Sequence, residues 1–280
     1  MDTISPPLNI AINFLAELFN TGISYSALCV ARSALSCYIT TGTNITFGNL
    51  PEVKRLMKGA FETRPVFPHK SKIITWDPHQ VLSYLETLSP NKLITLKELS
   101  MKLVMLIALC TGQRCQTLHK LNLKDMYLQK SMCTFTITSV LKHTRKGHHL
   151  KPIQLKSFPH NKEICVINVL HEYIDRTKSL RAKHSDQLFI SYQKPYKPVS
   201  KDTIARWLKN ILDLSGIDTS LYSAHTTRAA SCSAVQKIGF PINSILEAAG
   251  WSRENTFSKY YKKQTLENFG QSLMTSFIKK

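Results

Sequence analysis

The residues most able to do chemistry lie far apart along the chain. In residues 223–232, SAHTTRAASC, His225 precedes Arg228 by three positions and a run of small side chains follows. Residues three apart share one face of a helix, so the imidazole and the guanidinium are expected to point at the same spot. Two charged donors side by side repel, and an anion held between them removes that repulsion. The small residues from Ala229 to Ala234 let such a helix pack closely and hold the pair at a fixed height.

Three other segments carry candidate groups. In ALCTGQRCQTL, Arg114 follows an apolar helical run and a Gly-containing turn, a rigid support from which a long cation can be aimed. In LKHTRKGHHLK, Lys142, Arg145, Lys146 and Lys151 stand among three histidines. Most of these charges read as a solvated basic turn or as contacts to DNA phosphates. One lysine held beside a phosphate can instead pass a proton to a departing alkoxide, work that needs no metal. In EAAGWSRENTFSKYYKK, a helix closes at Gly250, Trp251 follows, and a second short helix carries Tyr260 and Tyr261. Each segment alone also has an ordinary reading: a surface arginine, a core tryptophan, tyrosines that pack.

The elements that must position these groups divide into two parts. Residues 8–20 (LNIAINFLAELFN), 24–40 and 51–63 read as amphipathic helices, the second with Ser24 as N-cap and the third with Pro51 in its first turn. The stretch RPVFPHKSKIITWDP has prolines at 65, 68 and 78 and no helical period, so it reads as an extended linker. Beyond it come a helix in DPHQVLSYLETL and one over 96–110, the latter apolar nearly all round and therefore buried. Residues 133–155 alternate, break at a basic Gly-containing turn and alternate again, the pattern of a β-hairpin. Helical readings return at 164–177, 201–214, 225–238 and 241–249. The fold class expected is mainly α with a small antiparallel β-sheet (α+β), and there is no internal repeat or low-complexity tract.

Charge narrows the partner. The 280 residues hold 37 Lys or Arg against 18 Asp or Glu, a formal net charge of +19. Residues 1–75 contain 7 basic and 4 acidic residues, and the remainder 30 and 14, so the second part carries most of the field. That balance favours a polyanion, nucleic acid first. No run of about 18 apolar residues exists, which argues against a spanning helix. The N-terminus MDTISPPLNI does not read as a secretory signal, and seven scattered cysteines without a CxxC pair fit reduced thiols inside a cell. No zinc-site spacing is present.

The order of these segments, arginine after a buried helix, lysine on a hairpin, HxxR, Trp and then Tyr, resembles the tyrosine recombinase (phage-integrase) superfamily. The resemblance covers almost the whole chain. It implies a helical core-binding domain over 1–72 and a catalytic domain over 73–280. The stretches LAELF, ARSALS, RLMKGAFETRP, TGQRCQTL, DTIARWLK, AHTTRAA and AGWSRENTFSKYYKK are further similar to recombinases of DIRS-type tyrosine-recombinase retrotransposons.

By that resemblance Arg114 matches the first catalytic arginine, His225 and Arg228 the HxxR pair, and Trp251 a position where relatives carry His or Trp. Lys142 resembles the hairpin lysine, with Lys146 as its alternative; Arg145, Lys146 and Lys151 are expected on DNA. Tyr260 has the usual spacing of nine after Trp251, whereas matching TFSKYYKK to the retrotransposon pattern selects Tyr261, which is preferred here. The activity implied is integrase-type cleavage and rejoining of DNA through a 3′-phosphotyrosine, with no metal or other cofactor. The implied partners are double-stranded DNA and three further copies of the chain in a homotetramer, with no membrane and no small-molecule substrate. The expected location is intracellular, and nuclear in a eukaryote. The alternative is a catalytically inactive DNA-binding protein of the same fold.

Overall fold

The computed structural model describes residues 6–65, 75–141, 144, 149–181 and 186–251. The chain divides into two compact units, Met1–Pro68 and His69–Lys280.

In the first unit, α1 (Leu8–Asn20) starts directly after two prolines and buries Ala11 and Leu15. Helix α2 (Tyr25–Tyr38) is capped by Ser24, whose hydroxyl accepts from the Ala27 N–H at 3.2 Å. A short 3-10 turn (Phe47–Asn49) leads to α3 (Pro51–Thr63), with proline at the first helical position, where no N–H is needed. Leu15, Leu28, Phe47 and Val53 are fully buried at the centre of this unit. Arg64, just past α3, lies with its guanidinium carbon 3.6 Å from the Phe19 ring centroid and donates to the Phe19 and Ile23 carbonyls, which pins the end of α3 to α1.

The second unit is built around one helix. Helix α4 (Pro78–Thr87) begins at Asp77, whose carboxylate accepts from the His79 N–H at 3.0 Å. Helix α5 (Leu96–Thr111) opens with a capping box: Thr95 and Glu98 satisfy each other's free N–H groups. The Thr95 hydroxyl and N–H hold the Glu98 carboxyl below its ordinary range. Ten consecutive residues from Leu99 to Ala108 are buried, as the continuous apolar run predicts. Around α5 pack α7 (Val166–Thr177), α8 (Lys201–Leu214) and α9 (Thr226–Lys237), with α6 (Cys115–His119) at its C-terminal end and α10 (Ile242–Ala249) against α9.

One sheet of three antiparallel strands lies in order β1 (Met126–Leu128), β2 (Met132–Phe135), β3 (Ile153–Lys156). Its register pairs Leu128 with Cys133, and Cys133 with Leu155. The fold class expected from the sequence is thus observed. The hairpin read over 133–155 is narrower than expected, because its paired limbs end at Phe135 and restart at Ile153. Strand β1 and helix α6 have no counterpart in the sequence reading. Among the described residues no helix is long and apolar enough to cross a membrane.

One buried cation escaped the sequence pattern. Lys102, midway along α5, is fully enclosed and donates to the Leu88 carbonyl at 2.7 Å and to Asn91 Oδ1 at 2.8 Å. Burial lowers its pKa to about 8, against the opposing pull of Glu163 and Glu86. The unfolded chain therefore keeps this proton up to its ordinary range near 10.5 while the native state releases it near 8. Between those limits the unfolded state binds more protons, so this residue makes stability rise with pH. Denaturant unfolding at pH 8 and pH 10 is expected to show the wild type gaining stability relative to Lys102→Met. Equal differences at both pH values would contradict that linkage.

Candidate active site

Arg114, Arg228 and Trp251 of the second unit lie where two helices end. Helix α5 stops at Gly112 and α10 at Gly250, each glycine in the left-handed region with φ of +58° and +68°. A Cβ on Gly112 would lie 2.9 Å from Cys232 Sγ, and one on Gly250 2.7 Å from Leu150 Cδ1. Both ends thus favour glycine for their backbone angle, and any added Cβ would also have to displace the Cys232 thiol or the tip of Leu150.

Helix ends leave carbonyls without partners, and here one side chain serves both. Arg228 of α9 is only 2% exposed, and its Nη1 donates at 2.6 Å to the Gly112 carbonyl and at 2.6 Å to the Ala249 carbonyl. A guanidinium at two helix C-termini is also favoured by the partial negative charge there. The guanidinium carbon sits 3.8 Å from the centroid of the Trp251 ring, which is itself buried. Gln113 adds a parallel tie, donating from Nε2 to the Ala248 carbonyl at 2.7 Å. Ser231 donates to the Leu109 carbonyl, and Ala229, Ala230 and Cys232 are buried, so the small side chains do let α9 lie close against α5. Burial pushes the Cys232 thiol up to about 12, with Arg228 pulling the other way, so the thiol stays protonated at neutral pH.

His225 is placed differently. It occupies the N-cap position of α9 and is exposed, whereas Arg228 lies buried one turn on. The shared face inferred from their spacing therefore does not give them a shared environment. The turn ahead of α9 is fixed by buried Trp76, whose Nε1 donates to Thr226 Oγ1 at 2.9 Å, while that hydroxyl donates to the Ser223 carbonyl at 2.7 Å.

Arg114 is the N-cap residue of α6 and is half-buried. It lines a cleft of about 480 Å³ together with Gln113, Thr144, His149, Lys151 and Trp251. Buried Trp251 is part of that lining, with Arg228 stacked on its ring. Lys151 Nζ donates to Glu247 of α10 at the cleft margin. Lys142, Arg145, Lys146, Tyr260 and Tyr261 lie outside the described residues. Arg114, Lys151 and Trp251 are thus brought to one cleft, Arg228 to its supporting wall and His225 to the exposed start of α9. The sequence reading missed Gln113, Trp76 and Glu247; an amide immediately before Arg114 in TGQR was the one available signal.

A family model, the phage integrase family, matches residues 77–267. The chain belongs to that family. No curated protein sequence matches it. Among solved structures, the chain is similar to the XerH site-specific recombinase bound to a palindromic difH substrate in a post-cleavage complex. That pair is 17% identical with a TM-score of 0.61, over 100% of this chain and 74% of the other. It is similar also to the Tn1549 transposon integrase in complex with transposon right end DNA, at 15% identity and a TM-score of 0.62, over 99% and 86%. A lambda integrase dimer bound to a COC′ core site shares 16% identity with a TM-score of 0.53, over 96% and 84%. These likenesses are of fold, and the fold is that of the integrases.

Proposed function

We propose that this integrase-family chain cleaves and rejoins double-stranded DNA through a 3′-phosphotyrosine intermediate. The observation that carries the reading is the cleft lined by Arg114, Lys151 and Trp251, with Arg228 stacked on the Trp251 ring and bound to two helix ends. The excess of basic residues in the second part and the DNA-bound relatives support DNA as substrate.

In the proposed reaction the phenol oxygen of Tyr261, or of Tyr260, attacks phosphorus and the 5′ oxygen departs. One P–O bond forms as another breaks, so rejoining needs no nucleotide cofactor. His225 accepts or orients the phenol proton, and Lys142, or Lys146, supplies a proton to the leaving oxygen. Arg114 stabilises charge on the non-bridging oxygens; Arg228 holds the ends of α5 and α10 and contributes its charge to the same phosphate. Arg145, Lys146 and Lys151 bind backbone phosphates, the first unit serves as the core-binding domain, and four copies assemble on two sites. The element moved is of the DIRS-type retrotransposon class, and the protein works in the nucleus of its host.

The burial of Arg228 favours one second reading: a DNA-binding protein without turnover, in which Arg228 is purely a brace. A duplex with a nick beside the cleavage point separates the two, because loss of the short fragment traps any covalent intermediate. The proposal expects a protein–DNA adduct on a denaturing gel. Binding without adduct, over a panel of the element's termini and junctions, favours the second reading.

A further inference from the structure

The margin of the cleft carries one group whose charge is wrong for a DNA-binding surface. Glu247, in the last turn of α10, lines the same cleft as Arg114 and accepts from Lys151 Nζ. Both side chains of the pair are more than half exposed. An exposed ion pair contributes little to stability, so stability does not account for placing an acid there. A carboxylate at the C-terminal end of a helix is also disfavoured by the partial charge of that end. The backbone beside the pair is already docked without it, since Leu150 packs directly over Gly250 and Gln113 ties the end of α10 to the α5–α6 turn.

We infer that Glu247 is an internal stand-in for a DNA phosphate: it holds Lys151 in the free protein and surrenders it when a phosphate enters the cleft. This rests on the DNA reading above. Before binding, the carboxylate satisfies Lys151 and cancels one positive charge of the cleft. On binding, Lys151 exchanges one anionic oxygen for another, and Glu247 is left exposed near the phosphate backbone. The exchange lowers affinity for any polyanion by the strength of the broken pair plus the new like-charge repulsion. Glu247 thus sets a threshold for occupancy of the cleft: a polyanion that makes few contacts does not offset the cost and leaves, while a duplex seated by many contacts offsets it and stays.

The test measures binding of one fluorescent random-sequence duplex, across a salt series, to four full-length proteins: wild type, Glu247→Gln, Lys151→Ala and the double variant. Glu247→Gln is expected to bind about three- to tenfold tighter than wild type, with a salt slope steeper by about one. The gain from Glu247→Gln is expected to be about two- to fivefold smaller when Lys151 is alanine, since no pair then has to be broken. Equal gains in both Lys151 backgrounds overturn the exchange, leaving Glu247 as simple repulsion. No gain, or weaker binding by Glu247→Gln, overturns the inference altogether. Failure of the wild type to bind the duplex is a different outcome, for it refutes the DNA reading itself.

Discussion

Arg228→Ala is expected to lower the rate of DNA cleavage by at least about 10²-fold and to destabilise the second unit as well. The first effect follows from removing a fixed cation from the proposed phosphate site, as with loss of an oxyanion donor. The second follows from geometry: without Nη1, the carbonyls of Gly112 and Ala249 lose a donor where water has no ready access. Each orphaned acceptor costs roughly 1–3 kcal/mol, and the space left over Trp251 adds a cavity. Arg228→Lys retains the charge but cannot reproduce the planar stack on Trp251, so it is expected to recover stability only in part. Single-turnover cleavage at a temperature where each variant stays folded separates the two effects. Wild-type cleavage by folded Arg228→Ala would leave Arg228 as a brace and remove it from the reaction.

Arg114→Ala is expected to show the catalytic loss without the structural one. Arg114 is half-buried, lines the cleft and follows the α5 turn, where Gln113 ties the chain to the Ala248 carbonyl and Gly112 supplies the left-handed backbone. Cleavage should fall by at least about 10²-fold while the unfolding midpoint in denaturant stays near that of the wild type. A large fall in stability with normal cleavage per folded molecule would reverse the roles assigned to the two arginines.

The contrast between these arginines explains what the sequence could and could not reveal. The apolar run of α5 is long and continuous, so its burial was legible, as was the alternation on either side of the basic turn. Strand β1 has three residues and helix α6 five, too few to show a period. Lys102 reads as an interruption of an apolar helix, because the atoms that accept from it belong to a connection that folds back over α5. The HxxR spacing singles out Arg228, but it does not reveal the burial of that side chain. Its partners are main-chain carbonyls, which leave no mark on the sequence, and they come from helices 116 and 21 residues away. The same spacing also overstated the kinship of His225 and Arg228, since the first lies at the cap and the second inside. Glu247 reads as one more polar residue of an amphipathic helix until Lys151 is seen beside it.

In the proposed reaction a phenol takes the place of an alcohol at one phosphodiester of DNA. Covalent capture reads that bond directly: incubation with nicked duplexes from the element's ends, a denaturing gel, and peptide mapping of the nucleotide-bearing residue. The wild type is predicted to give an adduct on Tyr261, retained in Tyr260→Phe and lost in Tyr261→Phe. An adduct that survives in Tyr260→Phe and Tyr261→Phe alike, or that maps outside this tyrosine pair, would contradict the account.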